Sequence, residues 1–387
     1  DASLIINSIL YMFRRILVFI FFVLAYFPFE AFAKDDQTIV VTPVSQDADA
    51  ANGGIIYALP KTVFRVRIDA QLTIEKAGPF YKYSNKYLNL TDVITQDSKS
   101  WKIVSASVEA ISVPDFSNRY KISATPTAIF PSVILNRDGI LCGINTSKSL
   151  KEVGPLSDVK VTDSYLSFDD IQLDQSVLTK TSTAAMAEQA AQAIYRLREK
   201  RLAILGGEES TILSDAGSYD RVLSELDRIE KEHVSLFIGK KQVFTETRYF
   251  EVVPDPQGEM SMVVVRFSEK EGFVDAMNLA GKPIYMDWSF NTDSHVNQYP
   301  EGSKQRKNAP VIGLRYIIPA QVDVKILDRN ILIAEKTLYC TQGGQVASLP
   351  ASILSQPNVK IEFDPITGSL LSIKSGSKES NDNTKKR

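Results

Sequence analysis

Phe64-Arg65-Val66-Arg67-Ile68-Asp69 places an apolar side chain at every second position and a charged one between. Successive side chains on a strand point to opposite faces, so this stretch is a half-buried β-strand with one face on a core and one in water. The same period returns further along the chain. Ile103, Ser105, Ser107 and Glu109 alternate with Val104, Ala106, Val108 and Ala110, and residues 159–168 alternate again. Pro114-Asp115 and Asn136-Arg137-Asp138-Gly139 are turn clusters. These signals define an N-terminal β-rich domain over 55–180. Upstream of it, residues 34–54 are polar except for Ile39-Val40-Val41 and read as a flexible lead-in segment.

The period changes after 180. Residues 183–205 are rich in Ala, Glu, Gln, Arg and Leu, which are strong helix formers. Ala190, Ile194, Leu197 and Arg201 recur at helical spacing, and Gly206-Gly207 is a C-cap signal. A second helix is predicted over 218–237, with Val222, Leu226, Ile229, His233 and Leu236 as its stripe and Gly239 as its stop. The two make a helical hairpin over 181–239. Arg196, Arg198, Lys200 and Arg201 on the first helix complement Glu225, Asp227, Glu230 and Glu232 on the second.

Strand signals resume in residues 262–267, 311–318, 322–326 and 331–339. Val359-Lys360-Ile361-Glu362-Phe363, the turn Asp364-Pro365-Ile366-Thr367-Gly368 and Ser369-Leu370-Leu371-Ser372-Ile373 read as a closing β-hairpin. The expected fold is α+β: two β-rich antiparallel-sheet parts, 55–180 and 240–374, flanking the central helical hairpin. Residues 375–387 are polar and charged and read as a disordered tail. Tyr57-Ala58-Leu59-Pro60 and Tyr316-Ile317-Ile318-Pro319 form a faint echo, with strand registers that differ in parity.

The 387 residues are 44% hydrophobic and 23% charged, with net charge -2, two His and two Cys. This excludes a disordered chain and lacks the basic excess of a nucleic-acid binder. A four-ligand His/Cys zinc site would require all four residues to converge. Near the start, Met12 and Phe13 precede Arg14 and Arg15, an apolar run over 16–27, then Pro28, Phe29 and Glu30. Ala31-Phe32-Ala33 follows, which is the pattern of a secretory signal peptide over 1–33 (12–33 from Met12) cleaved after Ala33. The run is short for a spanning helix, and no Cys lies nearby for lipidation. The expected product is exported, periplasmic or at the cell surface, with no transmembrane span after cleavage and length for about two domains.

Export opens a question about Cys142 and Cys340, which both lie in apolar runs. They are either two core thiols or a disulfide joining the two halves. The chain has no Gly-x-Ser-x-Gly, Ser-x-x-Lys or His-Glu-x-x-His motif. His233 belongs to an apolar helical stripe, and His295 lies in a polar loop. Gly53-Gly54, Gly206-Gly207 and Gly343-Gly344 read as turns or caps, since none opens a helix as a phosphate loop does. Asp163, Asp169, Asp170 and Asp174 form the densest acidic stretch, either a solvated strand end or oxygen ligands and acid–base groups. Phe80, Tyr81, Tyr83 and Tyr87 form the most notable constellation. Pro79 is placed to open a short helix carrying Tyr83 and Tyr87 on one face, for core packing or for a ligand platform.

Tyr57-Ala58-Leu59-Pro60-Lys61-Thr62, Ala77-Gly78-Pro79-Phe80-Tyr81-Lys82-Tyr83, Ala187-Glu188-Gln189-Ala190-Ala191 and Ile194-Tyr195-Arg196-Leu197-Arg198 occur in that order. Gly313-Leu314-Arg315-Tyr316-Ile317-Ile318-Pro319-Ala320 and the closing hairpin complete the series. In these segments the chain resembles the domain of unknown function family 4831, exported proteins mostly of Bacteroidetes. The resemblance implies an envelope setting and supplies no activity, cofactor or site residue. The expected function is that of a non-enzymatic structural or binding module whose partner is an envelope protein or a glycan. The alternatives are a carbohydrate-binding module around Tyr83 and Tyr87, and a carboxylate-dependent hydrolase of glycans or peptides.

Overall fold

The computed structural model describes residues 39–44, 53–126, 128–146, 156–161, 165–207, 216–258, 260–291, 313–356 and 358–375. The export segment, Asp163, His295 and the tail beyond Ser375 lie outside the described residues.

Three antiparallel sheets organise the chain. The first contains β1 (Ile39–Pro43), β2 (Ile55–Lys76), β3 (Ser98–Ala124) and β6 (Lys240–Val252) in the order β1-β3-β2-β6. The second contains β7 (Ser261–Ser268), β8 (Gly272–Val274), β9 (Lys282–Phe290), β10 (Gly313–Asp328) and β11 (Ile331–Pro350) in the order β11-β10-β9-β7-β8. The third is small: β4 (Val133–Leu135), β5 (Leu141–Ile144), β12 (Val359–Phe363) and β13 (Leu370–Ser375), ordered β13-β12-β5-β4.

The alternation at Phe64 belongs to a strand of 22 residues, roughly 70 Å at ~3.3 Å per residue and too long for one core. The strand serves two. Phe64, Val66, Ile68, Ala70 and Leu72 enter a core shared with Val322, Val324 and Ile326 of β10. Tyr57 and Leu59 enter another, with Leu314 and Ile317 of β10 and Val359, Ile361 and Phe363 of β12. The inward positions of β2 are odd in one core and even in the other, and successive side chains on a strand point to opposite faces. Between the two sets the pairing with β3 shifts, with the extra residues on β3: Ala58 pairs with Arg119, but Leu59 pairs with Asp115. Strand β10 also carries a break between its two cores. Its pairing with β11 breaks between Ile318 and Ala320, around Pro319, which has no N–H to give the ladder. The Tyr57–Pro60 and Tyr316–Pro319 echo therefore marks the two places where a long strand passes from one core to the next.

Opposite Pro319, β11 bulges through Thr341-Gln342-Gly343-Gly344. A side chain at Gly344 would meet the Ile318 carbonyl oxygen at 2.2 Å. The bulge, read from sequence as a turn, reaches β2 and forms a buried clasp. The Thr62 N–H donates to Thr341 Oγ1 (2.9 Å) and Gln342 Oε1 (3.0 Å). The Thr341 N–H donates back to Thr62 Oγ1 (2.9 Å), and Gln342 Nε2 donates to the Thr62 carbonyl (2.7 Å). Beside it, the buried Tyr57 hydroxyl accepts the Arg315 N–H at 2.9 Å. Burial pushes this phenol above its ordinary range, against the opposing pull of the Arg315 backbone bond.

A third core is helical. The short helices α1 (Ser84–Leu88) and α2 (Gln175–Leu178) join two long ones, α3 (Thr183–Leu205) and α4 (Ala216–Ile238). Ala187, Ala190, Ala191 and Ile194 of α3 pack with Phe80, Val177, Leu236 and Phe237. Ser182 caps α3 by accepting the Ala185 N–H, and Gly207 past its end has φ +79°. Arg198–Glu230 (2.7 Å) and Arg201–Asp227 (3.4 Å) link α3 to α4. Arg196 turns instead to Asp174, while Glu225 and Glu232 pair with Arg228 on their own helix.

Several expectations need correction. The two β-rich parts are not consecutive units. β6 follows the helices yet pairs along β2 from Lys76↔Lys240 to Phe64↔Val252, and β12 pairs with β5. Residues 39–43 are not a flexible lead-in, since β1 pairs with β3 and buries Ile39 and Val41. Among the described residues of 159–168, the alternation gives a bridge between Val159 and Thr247 and no strand. Ser375, expected in the tail, is the last residue of β13.

Candidate strand-end cleft

The residues singled out in the sequence hold structural positions. Phe80 is buried, with its ring 5.5 Å from that of Phe237. Tyr81–Tyr83 form a 3-10 turn leading into α1, as Pro79 suggested. The Tyr83 and Tyr87 rings lie 6.1 Å apart, both half-buried on the helical core. Tyr195 of α3 donates its hydroxyl to the Tyr87 carbonyl (2.8 Å), and Lys86 Nζ covers the Tyr87 ring at 4.9 Å. Tyr81 is half-buried too, with Lys82 Nζ 5.8 Å from its centroid. This constellation pins α1 to the long helices.

Cys142 and Cys340 do not form a disulfide: both are free and buried. Cys142 lies in the small sheet, with Sγ 3.3 Å from the Ile140 carbonyl. Cys340 lies in the β2–β10 core, with Sγ 3.3 Å from Gln342 Oε1. Burial raises both thiol pKa values, which lowers thiolate reactivity. His233 is buried, and its Nδ1 lies 2.9 Å from the Ile229 carbonyl. Asp174 caps α2 at the Ser176 N–H and pairs with Arg196, while Asp169 bonds Ser167. Asp170 is exposed. Among the described residues no group of three or more His, Cys, Asp or Glu side chains is placed to hold a metal ion.

The cleft that the structure does assemble lies where β2 ends and β3 and β6 begin. Its geometry follows from the strand register. Glu75 pairs across the ladder with Ser98 on one side and Lys241 on the other. Ser98 Oγ donates to Glu75 Oε2, and Lys241 Nζ lies against Glu75 Oε1, both at 2.9 Å. These two partners, Lys241 first, hold the Glu75 carboxyl below its usual pKa. Lys76 Nζ donates to the Tyr165 hydroxyl at 3.0 Å and lies 4.4 Å from the ring centroid. That bond, with the Asp97 and Asp169 charges, raises the lysine pKa. Asp97 Oδ1 accepts the Ala77 N–H at 2.8 Å. Tyr165 arrives on a strap that runs along β6. Val159 and Thr247 exchange both backbone bonds, and Lys240 Nζ donates to the Ser167 carbonyl while covering the Phe168 ring. Gly239 makes the close turn from α4 into β6. Its φ is +91°, and a Cβ there would meet the Lys76 carbonyl oxygen at 2.6 Å.

Two open cavities result. One, of about 510 Å³, is lined by residues that include Ile74, Lys76, Asp97, Lys99, Tyr165 and Leu166. The other, of about 600 Å³, includes Asp92, Ile94, Thr95, Gln96 and Lys241, and both share Glu75 and Ser98. Sequence reasoning missed this site, since its members are scattered from residue 74 to 241 and no local motif joins them. The one available signal was Tyr165 within the alternating run 159–168.

No described helix is long and apolar enough to cross a membrane. No curated protein and no solved structure matches the chain. Residues 53–371 match the family described as domain of unknown function (DUF4831), a span that takes in the cleft and, apart from Ile39 and Val41 of β1, the three cores. The chain belongs to that family.

Proposed function

We propose that the protein is an exported cell-envelope module that acts by binding, with its long helices forming a hairpin beside the sheets. The observation that carries the binding half is the open cleft at the end of β2, whose two cavities share Glu75 and Ser98. Ser98 and Lys241 hold the Glu75 carboxylate in place, and Lys76 holds the Tyr165 hydroxyl and ring. Polar groups and an aromatic ring fixed around an open cavity suit the binding of a ligand. A carboxylate hydrolase built on the acidic stretch is less favoured, because Asp174 is engaged as a cap and ion pair. A ligand platform at Tyr83 and Tyr87 is less favoured than the cleft, because both rings pack on the helical core.

The export half rests on Arg14-Arg15, the apolar run and Ala31-Phe32-Ala33. Fractionation with N-terminal sequencing tests it. Envelope material beginning at Lys34 is expected, and full-length protein confined to the cytoplasm would reject export.

A further inference from the structure

We infer that the cleft at the end of β2 binds an uncharged oligosaccharide, with Tyr165 as the platform for one sugar ring and the groups around Glu75 as its hydrogen-bonding wall. The inference rests on the binding reading above and names the ligand class.

Charge is the first reason. The two cavities, which share Glu75 and Ser98, are lined by three acidic residues, Glu75, Asp92 and Asp97, and three basic ones, Lys76, Lys99 and Lys241. A balanced lining creates no field to concentrate an ion of either sign. An ionic ligand would also compete with the Glu75–Lys241 pair. A neutral polyol has no such conflict.

The second reason is the exposed ring. Tyr165 is 81% exposed, more than the other exposed aromatics among the described residues, Phe116 (70%), Tyr339 (56%), Tyr195 (46%) and Phe130 (37%). It is nonetheless held, because Lys76 Nζ contacts both its hydroxyl and its ring. A preformed aromatic face loses little freedom on binding. It suits the C–H face of a pyranose, which is apolar in the middle and rimmed by hydroxyls.

The third reason is the wall. Ser98 donates its proton to Glu75, so its remaining lone pairs can accept. Gln96 brings a donor and an acceptor, and Thr95 a hydroxyl that is either. Sugar hydroxyls both donate and accept, which matches this mixture. Each cavity also falls within the ~300–1,000 Å³ typical of small-ligand sites. A peptide is less well served. It would add to a free strand edge, and β6 at Thr247 is already bonded in both directions to Val159.

The test uses the purified chain, titrated by calorimetry with cello-, manno-, xylo- and chito-hexaose and with a heparin oligosaccharide as anionic control. At least one neutral hexaose is expected to bind, with affinity unchanged by salt up to ~0.5 M. Tyr165→Ala should weaken it about tenfold, a loss of ~1.4 kcal/mol, while Tyr165→Phe keeps the ring and most of the binding. The melting temperature of both variants should equal that of the parent. Failure of every neutral hexaose to bind at millimolar concentration overturns the proposal. So does binding that survives Tyr165→Ala, or a preference for heparin that salt abolishes. These outcomes separate from the export test: an exported protein with no glycan affinity sinks this inference alone, and a cytoplasmic one that binds a hexaose through Tyr165 sinks only the export reading.

Discussion

Strand β2 carries two polar clusters of opposite kind. At Thr62 the groups are uncharged, Thr62 and Thr341 are buried, and with Gln342 they bond to one another and to the backbone across two sheets. At Glu75 they are charged, open to water and lined along two cavities. The difference follows from position. Inside, an unpaired polar group costs its full desolvation, so the clasp must be complete and it fixes how the two long hairpins meet. At the strand end water competes for every bond, so the same geometry adds little stability and remains available to a ligand.

Mutations can break this contrast, and the largest effect is expected in the clasp. Gln342→Leu leaves the Thr62 carbonyl and the Thr341 hydroxyl short of partners in a dry interior. A loss of about 2–3 kcal/mol is expected in denaturant titrations; a midpoint equal to that of the parent would show that the clasp does not hold the hairpins together. The next effect is kinetic. Cys340 sits against Gln342 with its thiol pKa raised by burial, so a thiol reagent at neutral pH should label it only when the core opens. Gln342→Leu should speed that labelling and leave Cys142 unchanged, whereas equal acceleration at both thiols would mean global unfolding.

Smaller effects belong to the cleft. The depressed pKa of Glu75 means its contribution is present above the unfolded value and lost as pH falls through the lower, folded one. Because the pair lies at an open strand end, Glu75→Gln should cost no more than about 1 kcal/mol at pH 7, with the deficit vanishing in acid and shrinking in salt. A deficit that persists at pH 3 would assign the loss to packing. Smallest of all, Tyr165→Ala should shift stability by less than about 0.5 kcal/mol. A larger loss would turn the ring from a ligand platform into a structural cover for the β2 end.

Much of this architecture is legible locally. The alternation at Phe64, the helical spacing of Ala190, Ile194 and Leu197, the cap at Gly206-Gly207 and the closing turn at Gly368 each depend on neighbours within one or two turns of chain. The errors share another origin. Residues 39–43 looked free because their partner, β3, lies some eighty residues away in sequence. The division into two successive β parts failed because β6 returns to β2 after the helices. Tyr83 and Tyr87 stayed open between core packing and a ligand platform because aromatic residues carry no local sign of which surface they cover.

By itself the sequence determined the element types and most of their ends. Side-chain period, missing N–H groups and capping are properties of the chain within a few residues. Only the tertiary structure decided which strands share a sheet, that each long hairpin serves two cores, and that Glu75, Ser98, Lys241 and Tyr165 meet. Those juxtapositions arise from pairing register between distant segments, fixed by the cooperative burial of all three cores rather than by any one stretch of residues.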